Sequence, residues 1–170
     1  MIHVCSLARL HETVATTRAR HVVSLLAHED NLTRPATITP ENHLWLQLHD
    51  ISSPQDGFVA PQIKHVEQLI AFVQRWPREQ ALVIHCYAGV SRSSAAAFTA
   101  VCALSPESDE RAIAIALRRA SATAMPNIRI VAIADQLLAR RGRMVSAVEA
   151  IGAGVVALEA EPFQLELSGH

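Results

Sequence analysis

The stretch Val83-Ile84-His85-Cys86-Tyr87-Ala88-Gly89-Val90-Ser91-Arg92-Ser93-Ser94 decides how this 170-residue chain is read. It follows Ala81-Leu82 in a short apolar run rich in β-branched residues, which predicts a buried strand. The strand ends at a cysteine. An arginine and then a hydroxyl residue follow, and a helix starts. A short loop between strand and helix turns successive backbone N–H groups inward, and the helix N-terminus adds a partial positive charge. Gly89 lets the backbone bend and approach an anion closely. Arg92 offers a planar fork that grips two phosphate oxygens. Thiols near helix N-termini and arginine act as nucleophiles, so the loop reads as a phosphate trap around Cys86.

The rest of the chain alternates strand and helix before this loop and is helical after it. Strands are predicted at Ile2–Cys5, at His21–Leu26 and at His43–His49, where Leu44, Leu46 and Leu48 share one face. Ser6 is a candidate cap for a helix bearing Leu7, Leu10 and Val14. Ala27–Pro40, with Asp30 and Asn31, reads as loop. Pro61–Trp76 shows helical spacing through Ile63, Val66, Leu69, Ile70 and Val73. Further helices are expected at Ser94–Leu104, Glu107–Ala120, Pro126–Arg141 and Met144–Ile151, with Pro106 and Pro126 in first turns. Glu161–His170 is a tail, extended or loose. The expected architecture is a single α/β domain over residues 1–155, followed by a tail over 156–170. Its core is a largely parallel sheet of about four or five strands with helices on both faces.

His85-Cys86-Tyr87-Ala88-Gly89-Val90-Ser91-Arg92-Ser93 resembles the signature loop of cysteine-dependent protein tyrosine phosphatases, most closely the dual-specificity branch. Pro126-Asn127 with Gln136-Leu137 resembles a helix that follows the loop in that branch, although Asn127 and Gln136 also read as ordinary helix residues. The resemblance spans Val22 to Leu138. It implies hydrolysis of phosphate monoesters through a phosphocysteine on Cys86. Tyr87, Ala88, Gly89, Val90, Ser91 and Arg92 would bind the substrate phosphate. Ser93 would donate to the sulfur or cap the helix, and His85 would brace the loop or tune the thiol.

The resemblance also implies an aspartate as general acid, on a loop just after a strand. Two residues qualify. Asp50 directly follows the strand ending at His49, which makes it the preferred candidate. Asp56 sits in the turn Gln55-Asp56-Gly57, where mobility favours it. The alternative to catalysis is a phosphate-binding module that recognises phosphorylated partners. Sulfur transfer or arsenate reduction would need a different loop or closer cysteines.

Composition narrows the classes further. Half the residues are hydrophobic by type, 18% are charged, and the formal net charge is −1. This excludes a highly charged disordered chain. It also argues against nucleic-acid or membrane-surface binding, which needs a basic stripe. The expected partner is a phosphorylated protein or a small phosphomonoester, and oligomeric state is not readable. Cys5, Cys86 and Cys102 form neither a disulfide framework nor a Cys-x-x-Cys site. Cys5 and Cys102 read as core residues, with a protective disulfide to Cys86 as the other option. Nine histidines show no His-x-x-x-His pair. The chemistry needs no metal and no cofactor. The N-terminus has no signal-peptide pattern, and the longest apolar run, Ala95–Leu104, is about half a bilayer span. A reduced, cytoplasmic setting is expected.

Overall fold

The computed structural model describes residues 1–28 and 32–167. Asp30 and Asn31 of the expected Ala27–Pro40 loop, and the last three residues of the tail, lie outside the described residues. The elements run β1 (Ile2–Ser6), α1 (Leu10–Thr17), β2 (His21–Leu25), β3 (His43–Leu46), α2 (Ile63–Arg75), β4 (Leu82–Cys86), α3 (Arg92–Leu104), α4 (Glu110–Ala120), α5 (Ile128–Leu137), α6 (Arg143–Ala150) and β5 (Phe163–Leu165). The sheet order is β3-β2-β4-β1-β5. Four strands are parallel, and β5 joins β1 antiparallel at the edge. The segment read as a tail thus contributes a strand, with Val4 paired to Phe163.

The central strand β4 is buried along its whole length, which is why its sequence is a continuous apolar run without alternating polar residues. Leu82, Ile84 and Cys86 face the larger core, while Val83 faces a smaller one with Cys5, Leu10, Val14 and Val22. The helices divide unequally. α1 covers the smaller core, whereas residues of α2 through α6 build the larger one. Buried Ala95, Ala96, Ala97 and Ala100 let α3 lie close against its neighbours, and Phe98 is fully enclosed. Truncating a phenylalanine so placed costs about 3–5 kcal/mol.

Several boundaries differ from expectation. β3 stops at Leu46 because its partner β2 ends at Leu25, opposite it. The alternation persists beyond the ladder, with Leu48 buried and Gln47 exposed. Neither Pro106 nor Pro126 occupies a first helical turn. Asp109 caps α4, its side chain accepting from the Arg111 N–H at 3.1 Å. Asn127 caps α5, accepting from the N–H groups of Arg129 and Ile130 at 3.1 and 3.2 Å. In each case an acceptor side chain fixes the first turn more strongly than proline does. α5 ends at Leu137 rather than Arg141, and left-handed backbone follows at Ala139, Arg141 and Gly142. That break turns the Arg140 side chain inward onto buried Glu110 at 2.8 Å. Ser6 is the last residue of β1, and α1 begins at Leu10.

Candidate active site

Residues 87–91 link the buried end of β4 to the N-terminus of α3. Their path depends on Gly89, which has φ +73°. A Cβ there would lie 2.9 Å from both the carbonyl carbon of Cys5 and the nitrogen of Ser6. The end of β1 is thus one close approach that demands glycine here. Backbone bonds hold the loop from both sides. The Leu7 N–H donates to the Tyr87 carbonyl at 3.1 Å, the Ala160 N–H to Ala88 at 2.9 Å, and the Met125 N–H to Val90 at 3.0 Å. Ser94 Oγ donates back to the Val90 and Ser91 carbonyls.

A cleft of about 530 Å³ opens over this loop, lined by Cys86, Ala88, Val90, Ser91 and Arg92. Asp50, Ser52 and residues Met125 to Ile128 complete its walls. Cys86 is buried, and its Sγ lies 3.1 Å from Ser93 Oγ. Ser93 meets the sulfur, and no side chain caps α3. Arg92 Nη1 donates to the Leu48 carbonyl at 3.1 Å, while its buried Nε has no hydrogen-bond partner. A buried donor without an acceptor is costly, and an anion in the cleft would relieve that cost. Tyr87 is 68% exposed and lines an adjoining hollow with His28 and His49, outside the main cleft.

The two aspartates separate clearly. His49 and Val59 pinch the segment between them: the His49 N–H donates to the Val59 carbonyl at 2.8 Å, and the Val59 N–H donates to His49 Nδ1 at 2.9 Å. Asp50 sits at this neck, against the loop. Its Oδ1 accepts from Ser91 Oγ at 2.7 Å and from Asn127 Nδ2 at 2.8 Å, and its Oδ2 lies 4.0 Å from Arg92 Nε. Asp56 lies at the exposed outer turn and lines neither hollow.

His85 points to the opposite face from the thiol. Ser24 Oγ bridges it to His43, at 2.6 Å from His85 Nε2 and 2.8 Å from His43 Nε2. Burial pushes the His85 imidazole down to about 3, which keeps the ring neutral. Its geometry braces three adjacent strands. Burial pushes the Cys5 and Cys102 thiols up to about 12. Cys5 belongs to the smaller core, and Cys102 lies ten residues along α3 from Arg92, roughly 15 Å by helical rise. All three thiols are free. Among the described residues, no group of three or more His, Cys, Asp or Glu side chains is arranged to hold a metal ion. No described helix is long and apolar enough to cross a membrane.

Sequence reasoning gave Asn127 no defined role, yet it joins Asp50 to the cap of α5. The Pro126-Asn127 pair was the available signal. Gln136, from the same motif, faces a separate groove with Gln62 and Lys64. The contact from Arg92 to Leu48 uses a main-chain acceptor, which no side-chain pattern announces.

No protein-family model matches the chain, and no curated protein matches it. Solved structures do. DUSP15 superposes with a TM-score of 0.65 at 18% identity, over 88% of this chain and 90% of that one. Human DUSP28 gives 0.61 at 18%, over 89% and 90%. The PTP-2 phosphatase of Cydia pomonella gives 0.61 at 19%, over 79% and 84%. The five-stranded sheet with its helices is the fold of these phosphatases.

Proposed function

We propose that the chain is a cysteine-dependent phosphatase of the protein tyrosine phosphatase superfamily, near its dual-specificity branch. It hydrolyses phosphate monoesters, with phosphotyrosine as the default substrate and phosphoserine or phosphothreonine as further ones. The observation that carries this reading is the convergence of Cys86, Arg92 and Asp50 on one cleft, with Arg92 Nε 4.0 Å from the Asp50 carboxylate.

The cycle has two halves. Cys86 sulfur attacks phosphorus, so an S–P bond forms as the ester P–O bond breaks. Arg92 and the loop N–H groups carry the charge on the remaining phosphate oxygens. Asp50 gives its proton to the departing oxygen. Water then attacks the phosphocysteine, Asp50 takes a proton from it, and phosphate leaves as the thiolate returns. The Ser93 hydroxyl donates to that sulfur and eases its departure. No metal or cofactor enters any step, and a reducing cytoplasm keeps the thiol available. The loop positions Tyr87, Ala88, Val90 and Ser91 carry no basic side chain, which disfavours polyphosphorylated head groups.

The test is hydrolysis of p-nitrophenyl phosphate and phosphotyrosine peptides by wild type, Cys86→Ser, Asp50→Ala and Asp56→Ala, each verified as folded. Turnover lost in Cys86→Ser and weakened in Asp50→Ala but not in Asp56→Ala supports the reading. A folded wild type that binds phosphate without turnover would instead make the chain a module recognising phosphorylated partners.

A further inference from the structure

Asp50 Oδ1 and Oδ2 have different surroundings. Oδ1 accepts from Ser91 Oγ at 2.7 Å and from Asn127 Nδ2 at 2.8 Å. Two donors fill the lone pairs of one carboxyl oxygen, so a proton carried by that carboxyl belongs on the other. Oδ2 is the oxygen turned toward Arg92 Nε, 4.0 Å away across the cleft wall. The amide of Asn127 cannot be reversed without loss. Its Oδ1 already accepts from the Arg129 and Ile130 N–H groups, so its Nδ2 must face Asp50. Its own N–H also donates to the Ser91 carbonyl at 3.3 Å. The N-terminus of α5, the phosphate loop and the acid thus meet at a single oxygen.

We infer that Asn127, with Ser91, is a positioning residue that clamps Asp50 Oδ1 and thereby assigns proton delivery to Oδ2. This rests on Asp50 being the general acid. The Oδ2–H bond breaks as the leaving oxygen gains its proton, while S–P forms and P–O breaks. In the second half Oδ2 takes a proton from the attacking water. The clamp holds this oxygen on the cleft side throughout.

A clamp on the acid matters when the leaving group needs a proton. The experiment therefore compares phenyl phosphate, a poor leaving group, with 2,4-dinitrophenyl phosphate, a good one. Asn127→Ser keeps a helix-capping acceptor but cannot reach Asp50 as the amide does. It is expected to lower kcat/KM, which reads phosphocysteine formation and not the hydrolysis common to both esters, about tenfold on phenyl phosphate, as loss of a charge-assisted hydrogen bond would. On the dinitrophenyl ester it should lower kcat/KM by less than about threefold. Asn127→Asp, which also caps, sets a second acceptor against the carboxylate and should lose more on phenyl phosphate than the serine variant. In an Asp50→Ala background Asn127→Ser should add nothing. Equal losses on both esters, or additivity with Asp50→Ala, would overturn the clamp. If Asp50→Ala itself shows no dependence on the leaving group, the acid assignment fails and the clamp with it. If Asp50→Ala shows that dependence and neither Asn127 variant does, only the clamp fails.

Discussion

Replacing Gly89 with alanine separates two costs that glycine usually hides together. The residue has φ +73°, and an added Cβ would sit 2.9 Å from two backbone atoms of β1. Gly57 has φ +80° with nothing within 4 Å of the same added atom. Both substitutions incur the left-handed backbone penalty, about 1 kcal/mol. Only Gly89→Ala adds overlap with main chain, which cannot rotate away and costs roughly 1–3 kcal/mol further. For a chain of this size each kcal/mol lowers Tm by about 2–4 °C. Thermal unfolding should therefore show a small drop for Gly57→Ala and a drop about two to four times larger for Gly89→Ala. Relief of the overlap must shift the loop that carries Cys86 and Arg92, so kcat/KM on p-nitrophenyl phosphate should fall at least about tenfold in Gly89→Ala. Equal Tm losses in the two variants would refute the claim that contact with β1 sets the loop.

Three further outcomes are expected. Iodoacetamide should modify the native chain at Cys86, which lines the cleft, because burial pushes the Cys5 and Cys102 thiols up to about 12; peptide mapping before and after denaturation reads this directly. His85 is held down to about 3 against an ordinary value of 6.5, so the unfolded chain binds the extra proton. Its contribution is full above pH 6.5 and is lost progressively as pH falls toward 3. That amounts to roughly 2 kcal/mol by pH 5, so denaturant midpoints should fall between pH 7 and 5, and less steeply in His85→Gln. Arg140→Met strands Glu110 beside exposed Arg143 alone, and urea unfolding should show a loss of about 3–5 kcal/mol with turnover per folded molecule preserved.

The strands were legible because each is a short apolar run bounded by polar turns, and β4 announced its burial by lacking alternation. Proline does not mark the helix starts, since Asp109 and Asn127 supply acceptors that proline lacks. Cys86 and Arg92 could be paired from spacing, because the loop between strand and helix is too short to let them part. Asp50 and Asp56 could not be separated by spacing. What separates them is the pinch between His49 and Val59, two residues distant in sequence from the loop they serve. The contact of Gly89 with β1 is not legible in the sequence, because it exists only once the sheet has formed.

The central claim is that phosphate passes through Cys86. The direct measurement is rapid acid quench of the wild type during turnover of p-nitrophenyl phosphate, followed by mass analysis of the peptide containing Cys86. The account predicts a phosphoryl group on that cysteine, formed at a rate no slower than turnover and absent in Cys86→Ser. Turnover retained in Cys86→Ser, or phosphoryl found on another residue, would contradict it.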